Sequence, residues 1–247
     1  MVGRFFLSTT TTTKQHRQNH HFSSSSDQQI MLLAGPPSCG KTSLLFQFAF
    51  NTALDNTNNN NKVVFICNRS KLENKPPYFS KSIDPSSDVF QRIEMKYVED
   101  DQGIKKYFAA FHLLKTFPAA VIVDDFGDFF DDSNCQAKYN NQRGRDLAIV
   151  RTLALCRNAI THANERMESR PPCKLLLSDT QHGDTPRLLF IYKRWVHSIF
   201  TIKGDGMQSF LLKNNTSTSV GESGSKEVAK YSIALQYLVL EDIVDGE

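Results

Sequence analysis

The stretch from Leu32 to Phe50, LLAGPPSCGKTSLLFQFAF, constrains this chain more than any other part of it. Within it, Gly35 to Thr42 matches G-x-x-x-x-G-K-[ST] at every required position. The run IMLLA before it reads as a buried strand, and Leu44, Leu45, Phe48 and Ala49 recur behind it at helical spacing. A strand, a glycine turn and a helix in that order commit this region to an α/β arrangement. Gly35 and Gly40 let the backbone curl until successive N–H groups converge on phosphate oxygens, and the helix adds its positive N-terminal end. Lys41 supplies a mobile charge for β- and γ-phosphates, and the Thr42 hydroxyl suits a magnesium ion. Pro36, Pro37, Ser38 and Cys39 fill the variable positions of this expected nucleotide-binding loop.

Along the rest of the chain, strand-like and helix-like segments alternate as a doubly wound parallel sheet requires. KVVFIC and RIEMKYV read as strands, residues 102–115 as a helix, AAVIVDD as a buried strand, and residues 145–166 as a long helix. CKLLLSD is a further strand, and VHSIFTIK, SFLLKN and YSIALQYLVLE read as strands near the end. Helices separate the early strands and short turns such as KGDG the late ones. The expected fold class is therefore α/β, with a mainly parallel central sheet flanked by helices and antiparallel strands at the C-terminal edge.

The first 28 residues are Ser/Thr-rich, with no acid before Asp27, and are expected to form a disordered tail ahead of an ATP-binding domain over 29–247. An Arg-bearing, acid-poor start also fits an organelle transit peptide. With 247 residues and 40% hydrophobic content, the chain can bury a sizeable core. No apolar run approaches the ~20 residues a membrane span needs, so no membrane partner is expected. Five cysteines without a C-x-x-C pair suggest neither a disulfide framework nor a zinc site. Charge is segregated within the modest net +3: Asp124 to Asp132 holds five acids and no base, whereas Lys138 to Arg194 carries eleven basic residues against five acidic ones. A positive surface beside the nucleotide site would follow if these share a face.

Four apolar residues ending in acid, AVIVD, are the pattern of a carboxylate released at the C-terminal edge of a central strand, where open α/β sheets bind ligands. Asp124 is accordingly the expected magnesium-side residue alongside Thr42. Asp125 is left as a loop cap or a second polar group. Guanine reading is unsupported, because NKPP at Asn74 lacks the acid of N-K-x-D. A small-molecule phosphotransferase is the competing enzyme class, with Arg143 and Arg145 as lid candidates, and a non-hydrolysing module in which ATP orders a docking surface for a partner is the other alternative.

From Ala119 onward, VIVDD, YNNQRGRDLAIVRTLALCRNAITHANERM and KLLLSDTQ resemble, in that order, the ATP-binding core of RecA-like recombinases. LLAGPPSCGKTSLLFQFA, VVFICNRSKL, DPSSDVFQRIEMKYVEDDQGIKKYFAAFHL and VIVDDFGDF carry a closer resemblance, spanning about Ile30 to Gln181, to the recombinase paralogues that act as SWIM-associated ATPases in the Shu complex. That resemblance implies ATP and Mg2+ held by Gly35 to Thr42, with Lys41, Asp124 and a γ-phosphate sensor at Gln181 as the catalytic set. It also implies single-stranded DNA binding in homologous recombination and double-strand break repair, a SWIM-type zinc-finger protein and other paralogues as partners, and a nuclear location. Arg143 and Arg145, in NQRGRD, fall where the recombinases present their first DNA loop. Lys193 and Arg194 come next, with Tyr139 or Trp195 as stacking candidates.

The sequence departs from the family pattern at one position that matters for chemistry. Recombinases carry a catalytic glutamate just after the second strand, whereas this chain has Asn68 and Arg69 there, with Glu73 several residues too far on. Hydrolysis is therefore expected to be slow or partner-dependent. The string FQFA, Phe46 to Ala49, resembles a polymerisation motif but falls in the first helix, where its apolar residues should face the core.

Overall fold

The computed structural model describes residues 2–7, 29–55, 62–130, 141–166, 171–181, 189–206, 208–215 and 226–246. Strand β1 (Ile30–Gly35) is buried at every position and runs through the loop into helix α1 (Lys41–Leu54). Then come β2 (Val63–Cys67), the short helix α2 (Arg69–Asn74), β3 (Ile93–Tyr97) and α3 (Asp101–Ala109). Strand β4 (Ala120–Val123), the long helix α4 (Gln142–Glu165) and β5 (Lys174–Thr180) follow. A single turn of helix, α5 (Leu189–Tyr192), leads to β6 (Ser198–Gly204), β7 (Ser209–Asn214), β8 (Lys226–Ala234) and β9 (Tyr237–Gly246).

The strands form one sheet in the order β3-β2-β4-β5-β1-β6-β7-β8-β9. Neighbours from β3 to β6 are parallel and those from β6 to β9 antiparallel. This is the expected α/β class, and the physical reason is the connections: helix-length crossovers permit parallel pairing, whereas the tight β6–β7 link does not. Alternate strand residues divide the core into two layers. Leu32, Ile66, Val123 and Leu177 pack beneath α3 and α4 through Phe108, Ile149, Leu153 and Ile160. Leu33, Phe65, Ile122 and Leu176 pack beneath α1 through Leu44, Leu45 and Phe48. Phe46, Phe48 and Ala49 are buried there, as the reading of FQFA required.

Four boundaries differ from expectation. Residues 2–7, assigned to a disordered tail, instead dock in the α1 layer: Val2–Phe5 forms a 3-10 turn, and Val2, Phe5 and Phe6 are buried. The Phe5 ring meets Phe200 at 5.0 Å, and the Asn51 side-chain amide donates to the Arg4 and Phe6 carbonyls at 2.9 and 2.8 Å. The apolar block Val2–Leu7 has enough surface to offset its ordering, which the Ser/Thr run behind it obscures. Residues 8–28 of that expected tail lie outside the described residues.

The helix expected over 102–115 stops at Ala109, and a 3-10 turn at Phe111–Leu113 keeps Phe111 in the core. The long helix starts at Gln142 because the Asn141 side chain caps it, accepting from the Gly144 N–H at 2.8 Å. Arg143 and Arg145 are therefore in its first turn and not in a loop. Finally, YSIALQYLVLE is not one strand. It folds back at Leu235 and Gln236, whose φ angles of 50° and 65° make a two-residue hairpin turn between β8 and β9.

Candidate nucleotide-phosphate site

The C-terminal ends of β1, β4 and β5 meet at one edge of the sheet, and each delivers part of the candidate site. β1 ends at Gly35, where an added Cβ would lie 2.8 Å from Ile202 Cβ and 2.9 Å from Cys39 Sγ. Gly40 has φ 84°, a backbone angle that favours glycine; a Cβ there would meet the flexible end of the Ile233 side chain, 2.7 Å from Cδ1. Gly40 is the N-cap of α1 without a side-chain cap, which leaves the first-turn amides of the helix available to an anion. Pro37 and Ser38 are exposed along the loop, Pro36 is half-buried and Cys39 is buried. The Lys41 ammonium is held inward, donating to the Pro36 carbonyl at 3.3 Å and lying 3.8 Å from Asp125 Oδ1.

The two motifs, far apart in the chain, come into direct contact. Thr42 Oγ1 donates to Asp124 Oδ2 at 2.8 Å. On its other side Asp124 Oδ1 accepts from Ser178 Oγ at 2.8 Å, so the carboxylate is oriented from β5 as well as from the loop. Burial pushes the Asp124 carboxyl up, to about 6, with the neighbouring Asp125 adding to the shift; Ser178, Thr42 and Lys41 oppose it. A divalent cation would reverse that penalty. Thr42 Oγ1 and Asp124 are hard oxygen donors of the kind magnesium takes, in company with water and phosphate oxygens. Among the described residues no group of three or more His, Cys, Asp or Glu could hold a metal ion.

Gln181 follows β5 directly, and its backbone N–H donates to the Gly35 carbonyl at 2.8 Å, placing the expected sensor beside the loop. Residues that sequence reasoning passed over complete the floor. Ser178 and Thr180 bond Asp124 and Asp125, and the buried Tyr231 phenol donates to the Cys39 carbonyl at 2.7 Å. No motif marks them, because they act through strand neighbours. Asp179, also on β5, is pushed up by burial to about 7, with Asp125 and Asp128 nearby adding to the shift.

Two cavities flank the loop. One, of about 580 Å³, is lined by Gly40, Lys41, Tyr78, Thr180, Phe210 and Ile233. The other, of about 790 Å³, opens beyond Asp124 between Asn68, Lys71, Lys75, Glu99 and Asp128. Just after β2, Asn68 caps α2 by accepting from the Lys71 N–H at 3.2 Å. Glu73 pairs with Arg69 on the exposed face of α2, at 2.8 Å, and does not line either cavity. Sequence reasoning also missed Glu99, which lines the larger cavity from just past the end of β3.

The expected DNA contacts separate into two kinds. Arg143, Lys193 and Arg194 are exposed, whereas Arg145 is half-buried. Trp195 is half-buried against the core, and Tyr139 lies outside the described residues. Among the described residues no helix is long and apolar enough to cross a membrane.

The fold and site together define an open α/β protein with a glycine-lysine loop and a carboxylate strand end meeting at one sheet edge. Neither a protein-family model nor a curated protein matches the chain.

Proposed function

We propose that the chain is an ATP-binding accessory factor of homologous recombination, a RecA-like P-loop protein that binds single-stranded DNA and hydrolyses ATP slowly. The observation that carries the reading is the 2.8 Å bond between Thr42 Oγ1 and Asp124 Oδ2. It pairs the phosphate-loop hydroxyl with the strand-end carboxylate where a magnesium ion would lie between them. The strand order adds support, since β5 runs between the loop strand and the acid strand and sets Gln181 beside Gly35.

Bound magnesium would neutralise charge on the transferring phosphate. The chain's own residues do the rest: the Gly40–Thr42 backbone and Lys41 hold the phosphates, while Ser178 fixes the Asp124 carboxylate. Exposed Arg143, Lys193 and Arg194 supply charge for a nucleic-acid backbone. A SWIM-type zinc-finger protein, other recombinase paralogues and a nuclear location belong to the same proposal.

The second reading is phosphoryl transfer to a small acceptor. It is favoured by the cavity of about 790 Å³ beyond Asp124, which is roomier than a water nucleophile needs. One experiment separates the two: ATP turnover by the wild type and Lys41→Ala, with and without single-stranded DNA. DNA-stimulated turnover that Lys41→Ala abolishes supports the recombination reading. Absence of both turnover and DNA binding removes it, and phosphate transfer indifferent to DNA favours the second.

A further inference from the structure

Asp125 stands where the two cavities meet and lines both. Its φ of 47° lies in the left-handed region, which costs a non-glycine residue on the order of 1 kcal/mol or more. Two bonds from β5 hold it there. The Asp125 N–H donates to Ser178 Oγ at 2.8 Å, and Thr180 Oγ1 donates to Asp125 Oδ1 at 2.9 Å. The same Oδ1 lies 3.8 Å from Lys41 Nζ, and the Lys41 side chain is only 6% exposed. The buried ammonium therefore already has a counter-ion, and a phosphate that enters the loop must draw Lys41 away from Asp125.

The other carboxylates around the cavities are engaged with other side chains or, like Glu99, line the larger cavity but not the one beside Lys41. Asp124 accepts from Thr42 and Ser178, Asp128 pairs with Lys71, and Glu73 pairs with Arg69. The position after β2 holds Asn68, engaged as a helix cap. Among the described residues, Asp125 is the one carboxylate that pairs with Lys41 and lines both cavities.

We propose, resting on the ATP reading above, that Asp125 serves the site twice. In the resting protein it is the counter-ion of Lys41. Once phosphate has taken Lys41, the carboxylate holds the attacking water, the task that no glutamate after β2 performs here. In that step the water oxygen bonds to the γ-phosphorus while the bond from that phosphorus to the β–γ bridging oxygen breaks. The electron pair of the broken bond stays with ADP, and both water protons leave on the released phosphate as dihydrogen phosphate. Asp125 accepts a hydrogen bond from the water throughout and keeps its charge.

The test measures affinity for a fluorescent ATP analogue with magnesium, and ATP turnover, in the wild type, Asp125→Asn and Thr180→Val. Asparagine keeps the shape and can still accept from Thr180, while losing the charge that competes for Lys41. Asp125→Asn should bind the analogue about threefold or more tighter and turn over ATP about tenfold or more slowly. Thr180→Val keeps the charge but frees the carboxylate, so turnover should fall with little change in affinity. Unchanged or weaker binding by Asp125→Asn, with wild-type binding intact, overturns the resting pair. Undiminished turnover in both variants overturns the water-holding role. A wild type that binds the analogue no better than Lys41→Ala fails the ATP reading itself, and the inference falls with it.

Discussion

The Tyr231 phenol, on β8, donates to the carbonyl of Cys39 in the phosphate loop at 2.7 Å, across 192 residues of chain. Ile233, two residues on and on the same face of the strand, packs against Gly40. The antiparallel end of the sheet is thus a prop for the loop and not only an extension of the core. Removing the hydroxyl in Tyr231→Phe leaves a buried carbonyl without that donor, at a cost of about 1–2 kcal/mol. Chemical denaturation should register that loss, and nucleotide affinity should fall severalfold because the loop is no longer held. Wild-type affinity in a destabilised variant would confine Tyr231 to a packing role.

The N-terminal turn bears on the same prop, since Phe6 packs on the Tyr231 ring at 5.7 Å between centroids. Phe5→Ala and Phe6→Ala each empty a buried aromatic site and should cost about 3–4 kcal/mol. Urea unfolding monitored by circular dichroism measures this, and a change under about 0.5 kcal/mol would mean that residues 2–7 do not dock in solution.

Acid should favour the folded protein. The Asp179 carboxyl is pushed up to about 7 by burial, from 3.8 when exposed. Between those values the folded state binds the proton that the unfolded state releases, so this group's contribution to stability declines as pH rises from about 4 to about 7. Asp124, raised to about 6, acts with the same sign. Asp179→Asn should flatten the decline and raise the thermal midpoint more at pH 7 than at pH 4.5. A gain equal at both pH values would show that Asp179 is not protonated in the fold.

The hairpin turn at Leu235–Gln236 holds two side-chain-bearing residues at positive φ, and Leu235 is 91% exposed. Replacing the pair by Asn-Gly relieves that strain without removing core contacts, and should stabilise the protein by about 1 kcal/mol. Thermal melting gives the sign directly.

Arg143 and Arg145 should part company. The exposed Arg143 contributes backbone charge, so Arg143→Ala should weaken single-stranded DNA binding and lower the salt-dependence slope by about 1. Arg145 is half-buried in the first turn of α4. Arg145→Ala should lower stability more than Arg143→Ala does. Anisotropy titrations over a salt series, read beside melting curves, separate the two effects.

Local chemistry alone determined the loop, its flanking strand and helix, the acid strand and the parallel-then-antiparallel order. Gly35, Gly40, Lys41, Thr42 and Asp124 were legible because each residue type is required by its own backbone geometry or charge. The β8–β9 turn was not legible, since Leu-Gln carries none of the Asn or Gly preference that marks such turns, and tertiary pairing overrides local preference there. Nor were Ser178, Thr180 and Tyr231, whose roles exist only because β5 lies beside β4 and the β8 face reaches the loop. Arg145 is the same case reversed, a charge that reads as a surface contact until the start of α4 leaves it half-buried. Sequence specifies which backbone each residue favours; which side chains meet across the sheet edge is decided by strand order, and strand order is settled by burying both faces of the sheet at once.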